Sequence, residues 1–140
     1  MTRTATLALV VVVVAGLLAG GVVLAKDIQC LSGKCVGTKK ADEIVGSFGP
    51  DTIFARGGND TIFAESGDDE IYGGGGNDRI IAQGTLHDSA TIFGGKGDDV
   101  IDVRTNTPDK EPDFVDCGPG TDTVVVDPTD TRLNCEILGS

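Results

Sequence analysis

"GGGGNDRII", residues 73–81, sets four consecutive glycines and an Asn-Asp pair directly against two isoleucines. A run of glycine is costly to order, so a folded chain keeps one where the backbone must enter φ > 0 or pass close to something. Isoleucine is among the residues most enriched in strands. The stretch therefore reads as a tight turn running straight into a short strand. Reading outward nine residues at a time gives "GSFGPDTIF" (46–54), "ARGGNDTIF" (55–63) and "AESGDDEIY" (64–72), with nothing inserted before position 73. "GTKKADEIV" (37–45) precedes this run, and "GGKGDDVID" (94–102), "PDKEPDFVD" (108–116) and "CGPGTDTVV" (117–125) follow it.

These units share two positions. The sixth is aspartate in all of them: Asp42, Asp51, Asp60, Asp69, Asp78, Asp99, Asp113 and Asp122. The eighth is aliphatic and β-branched: Ile44, Ile53, Ile62, Ile71, Ile80, Ile101, Val115 and Val124. Positions one to five carry turn chemistry, and positions seven to nine form a three-residue strand whose middle side chain points one way. A unit this short buries little alone, so only a stack of units makes a core. The expected fold is all-β: a parallel β-roll or β-solenoid of nine-residue repeats, two repeats per turn, with the eighth-position aliphatics and Ile92 lining the inside.

Stacking creates an electrostatic problem. Asp42, Asp60 and Asp78 would lie above one another on one edge, as would Asp51 and Asp69 on the other. Carboxylates about 5 Å apart at an effective dielectric near 20 repel by about 3 kcal/mol. The turns offer only oxygen ligands, carboxylates and main-chain carbonyls, which suits a hard divalent cation. Calcium, with six to eight flexible oxygen ligands, fits such a cage better than magnesium, which demands a tight octahedron.

The nine-residue pattern resembles G-G-x-G-x-D-x-U-x, the calcium-binding repeat of the repeats-in-toxin (RTX) β-roll family. "GGGGNDRII" and "GGKGDDVID" match every fixed position, whereas Ala55, Arg56, Ala64 and Glu65 replace glycines and Lys39 and Lys40 weaken the first unit. The resemblance covers about residues 37–125. It implies that calcium sits between successive stacked turns, held by loop carbonyls and the sixth-position carboxylates, which here are the eight aspartates named above. Typical members resemble cargo of a different secretion route with C-terminal signals; the resemblance carries calcium binding but no toxin activity.

Two interruptions break the period. "AQGTLHDSATIF" (82–93) keeps the strand around Ile92 but has Ala90 where aspartate is expected, so one site there is lost or remodelled. "VRTNT" (103–107) is a further insertion and "PDKEPD" lacks glycine. The coil is expected to end near Asp102 and resume irregularly through 103–116.

The ends read differently from the middle. Residues 1–25, with Arg3 followed by an uncharged apolar run and the triplet Val23-Leu24-Ala25, read as a signal peptide cleaved after Ala25; a membrane anchor is the alternative. The four cysteines all follow it, as expected where disulfides form. Local pairing, Cys30 with Cys35 and Cys117 with Cys135, is expected from the three possible connectivities, with a zinc site as the alternative. The pairs would clip two end caps, 26–36 and 126–140. The protein is thus expected outside a bacterial cell and, once cleaved, off the membrane.

The remaining function classes narrow quickly. A formal charge of −11 argues against nucleic acid and anionic surfaces. The single histidine, His87, and the absence of familiar catalytic motifs argue against an enzyme. Calcium-driven folding of an extracellular module is the leading expectation. A calcium-strutted adhesion module for cell-envelope polysaccharide or a surface protein is the alternative, with Phe54, Tyr72 and Phe93 as an exposed aromatic row. Asp130 is read as lying outside the array.

Overall fold

The computed structural model describes residues 26–31, 33–84, 88–105 and 111–138. The apolar leader and His87 lie outside the described residues. The chain winds as a parallel β-solenoid of about six coils with no helix among the described residues. Odd-numbered strands form one sheet: β1 (Lys26–Gln29), β3 (Asp42–Val45), β5 (Thr61–Phe63), β7 (Arg79–Ile81), β9 (Val100–Asp102), β11 (Thr123–Val125) and β13 (Ile137–Leu138). Even-numbered strands form the other: β2 (Lys34–Val36), β4 (Thr52–Phe54), β6 (Glu70–Gly75), β8 (Thr91–Lys96), β10 (Phe114–Asp116) and β12 (Thr131–Leu133).

Each strand pairs with the one a full coil away, eighteen residues apart in the regular region: Ile44 beside Ile62, Ile62 beside Ile80, Ile53 beside Ile71. This register puts all nine expected aliphatics on the inside, and each is fully buried. A one-residue slip would turn the whole set outward, so the period of the sequence enforces the register. The first position faces inward as well in several of the described units. Ala55 and Ala64, which looked like losses of glycine, are fully buried beside the isoleucines.

The interruptions do not end the coil. Ile71 pairs with Ile92, Ile92 with Val115, and Ile101 with Val124, so both insertions are accommodated in the turns while the strands keep their places. Beyond Asp102 ladder hydrogen bonding continues in the same two sheets, because a parallel strand needs only its neighbour, not a fixed loop length. The cysteines pair as expected, Cys30 with Cys35 and Cys117 with Cys135, near the two ends. Residues 26–36 supply β1 and β2, and 126–140 supply β12 and β13, so both terminal segments carry strands of the two sheets.

The opening glycines now have a physical account. Gly74 and Gly76 adopt φ of 105° and 121°, and a Cβ on them would meet the carbonyl oxygens of Arg56 and Gly58 in the previous coil at 2.3 and 2.0 Å. Neither the conformation nor the approach admits a side chain.

Candidate metal centre

The turns stack into two edges, and each edge carries a row of sixth-position aspartates. All eight are buried, none more than 4% exposed. On the first edge the backbone amide of each aspartate donates to Oδ1 of the aspartate in the next coil: Asp42 to Asp60 at 2.7 Å, Asp60 to Asp78 at 2.8 Å, Asp78 to Asp99 at 2.8 Å and Asp99 to Asp122 at 2.8 Å. The second edge repeats the contact between Asp51 and Asp69 at 2.9 Å. Ala90 breaks that row, yet its amide still donates to Asp113 Oδ1 at 2.7 Å.

Oδ1 of Asp60, Asp69, Asp78, Asp99, Asp113 and Asp122 is thus committed to an amide of the preceding coil, and the other oxygen decides the chemistry. In the first turn the Asp42 carboxylate is satisfied by Thr38, whose amide donates to Oδ2 at 2.5 Å and whose hydroxyl donates to Oδ1 at 3.1 Å. The Ser47 amide serves Asp51 Oδ2 in the same way. In later turns the second-position residue has turned into the left-handed region: Arg56 at φ 81°, Glu65 at 69°, Gly74 at 105°, Gly95 at 108° and Gly118 at 92°. In these turns Asp60, Asp78, Asp99 and Asp122 each keep a buried Oδ2 with no hydrogen-bond partner; in the Ser47 turn Asp51 keeps a buried Oδ1 without one. A buried, unpaired carboxylate oxygen is strongly unfavourable unless something satisfies it.

Burial raises the proton affinity of Asp60, Asp69, Asp78 and Asp99, and the charge of adjacent aspartates adds to it, against the amide donated by the preceding coil. Asp60 and Asp99 are pushed up to about 6, and Asp69 and Asp78 to about 7. Asp122 is raised as well, by burial first and then by the charge of Glu136. Stacked oxygens that hold protons this tightly form a site waiting for positive charge. Among the described residues no three Asp, Glu, His or Cys side chains converge, so a cation here would take carboxylates from adjacent coils and complete its shell from the main chain. Hard oxygen donors of that kind fit calcium.

Several contributors escaped the sequence reading. Asp130, expected outside the array, ends the second row: its Oδ1 accepts from the Asp113 amide at 3.1 Å and its Oδ2 from the Asp127 amide at 2.6 Å. Its 17-residue spacing from Asp113 concealed it. Asp88, carried by the first insertion, adds its charge to Asp69 and lines a cavity of about 10 Å3 with Glu65, Asp69 and Asp113, at the level where Ala90 has displaced the aspartate. The fifth positions build an outer ladder in the opposite sense, with the Asn77 amide donating to Asn59 Oδ1, the Asp98 amide to Asn77 Oδ1 and the Thr121 amide to Asp98 Oδ1 at 2.9 to 3.0 Å. The Asn-Asp pairs of the repeat were the available signal.

The aromatic row is a stack. Phe54 and Tyr72 lie 4.8 Å apart at 6°, Tyr72 and Phe93 5.0 Å apart at 11°, and Lys34 caps the Phe54 face. The stacked rings cover part of one another's faces, and all three side chains are half-buried.

Two flat parallel sheets joined by turns that stack buried carboxylates define a β-solenoid of the metal-binding repeat class. The family model for the RTX calcium-binding nonapeptide repeat (4 copies) matches residues 36–71, 57–84 and 90–103, so the chain carries RTX-like repeats. That repeat family binds calcium and is of a structural, non-enzymatic type. The matched segments skip the insertion at 85–89. No curated protein and no solved structure matches the chain.

Proposed function

We propose that this is an exported calcium-binding module in which ions lodged between stacked turns drive or stabilise formation of the β-roll. The observation that carries the reading is the set of buried carboxylate oxygens without partners, four of them in one continuous row, Asp60, Asp78, Asp99 and Asp122. Asp51, Asp69 and Asp113 belong to the second row. Asp42, bonded through both oxygens to Thr38, contributes least. The RTX match supports calcium over other hard cations.

Ion binding and folding are coupled here because each carboxylate pair exists only when two coils are in register. The protein's own part is to hold one oxygen of every aspartate by an amide, keep water from the row, and present the other oxygen. The terminal segments 26–36 and 126–140, each tied by a disulfide, close the ends of the array. Export is supported by the apolar leader and the disulfides. Among the described residues no helix is long and apolar enough to cross a membrane.

Isothermal titration calorimetry tests the binding reading: calcium should bind at several sites per chain, and magnesium should neither match it nor displace it. Absence of calcium binding at millimolar concentration would refute it. Exported protein should begin at Lys26; an intact mass retaining residues 1–25 would contradict cleavage.

A further inference from the structure

The row Asp60, Asp78, Asp99, Asp122 does not stop at Asp122. The Asp122 amide donates to Glu136 Oε2 at 3.0 Å, the same rung that Asp99 makes to Asp122. Glu136 therefore stands where each earlier coil places aspartate, although it lies 14 residues on rather than 18 to 23 and falls beyond the matched repeats. Its backbone is fastened on both sides. Cys135 just before it is bonded to Cys117, which opens the turn leading to Asp122, and β13 just after it pairs with β11 at Thr123 and Val124.

Facing this glutamate is a carboxylate that is fully buried and keeps one oxygen, Oδ2, without a partner. The sole ion pair between side chains of described residues joins Arg104 to Asp102, so neither acid is neutralised by a lysine or arginine there. Glu136 also lines an open groove of about 500 Å3 with Gly118 and Pro119, so its carboxylate is open to solvent.

We propose that Glu136 and Asp122 together hold a terminal calcium ion, which closes the row at its C-terminal end and is kept in shape by the Cys117–Cys135 disulfide. This rests on the calcium reading above. A glutamate that merely capped the Asp122 amide would serve equally well as glutamine, which retains the acceptor oxygen; an ion ligand would not, because glutamine has no charge.

Native mass spectrometry of the folded chain in saturating calcium separates the two. Glu136→Gln alters an exposed side chain and preserves the rung, so the fold is retained, and the variant should carry one calcium fewer than the parent. Asp122→Asn, whose carboxylate also neighbours Asp99, should lose that ion at least, and adding Glu136→Gln to it should remove no further ion. Equal counts in the parent and Glu136→Gln would overturn the proposal. A parent chain that carries no calcium would instead overturn the calcium reading itself, so the two failures are distinguishable.

Discussion

The Asp60 amide donates to Oδ1 of Asp78 at 2.8 Å, while Oδ2 of the same carboxylate is buried without a partner. One side chain thus stitches two coils together and presents an oxygen to whatever lies between them. Asp78→Asn keeps an acceptor for the amide and removes the charge. It should raise the calcium concentration at the folding midpoint several-fold. Asp42→Asn, in the turn where Thr38 already satisfies both oxygens, should leave the midpoint and the ion count unchanged. A midpoint that shifts equally in both variants would show that the two turns are not chemically distinct.

Asp130 gives a second contrast. Its carboxylate accepts the amides of Asp113 and Asp127, and truncation leaves two main-chain donors unserved. Asp130→Ala should destabilise the C-terminal coils by about 1–3 kcal/mol. Hydrogen exchange should locate the loss in β10 and β12 and leave β3 to β5 protected. Uniform exchange along the chain would argue against a local rung.

Proton binding should oppose calcium in a defined window. In the metal-free fold Asp60, Asp69, Asp78 and Asp99 are raised to about 6 or 7 from an ordinary 3.8. The folded state then holds more protons than the unfolded chain between about pH 4 and pH 7, so the stability of the metal-free fold falls as pH rises through that interval. Chelated protein should be most structured near pH 4 and lose structure toward pH 7. Calcium affinity should run the opposite way, weakening as pH drops below about 7. A metal-free stability that rises with pH across this range would contradict the buried-carboxylate picture.

Backbone strain marks two more positions. Arg56 and Glu65 occupy the left-handed region at φ 81° and 69°, where the matching residues of later coils are Gly74, Gly95 and Gly118. Glycine should relieve about 1–3 kcal/mol of strain and give back about 0.5–1 kcal/mol through unfolded-state entropy. Arg56→Gly is therefore expected to stabilise the calcium-loaded protein by about 1 kcal/mol in urea denaturation. By contrast Ile80→Ala, which empties a fully buried position, should cost about 2–5 kcal/mol.

The nine-residue period made most of this fold legible. Its eighth-position isoleucines dictate which face is inside, and its sixth-position aspartates dictate where carboxylates stack. What stayed hidden depended on loops of unequal length. Asp130 and Glu136 belong to the two rows by contact, at spacings of 17 and 14 that no fixed period finds. Asp88 enters through an insertion, folded back beside Asp69. The difference between Asp42 and Asp78 is a matter of backbone angle one turn earlier, at Thr38 against Gly74. Residue type there is suggestive, since threonine disfavours φ > 0, but the consequence for the carboxylate emerges only from the hydrogen bonds.

On the proposed function, the stacked aspartates are held together at neutral pH only by a cation between them. Far-UV circular dichroism of the chain at neutral pH, titrated with calcium from excess chelator and with magnesium as control, tests this most directly. The chelated protein should be largely unfolded and should gain β-structure cooperatively as calcium reaches about 0.1–1 mM, the range of extracellular modules. A spectrum already rich in β-structure in chelator at neutral pH, and unchanged by calcium, would contradict the account.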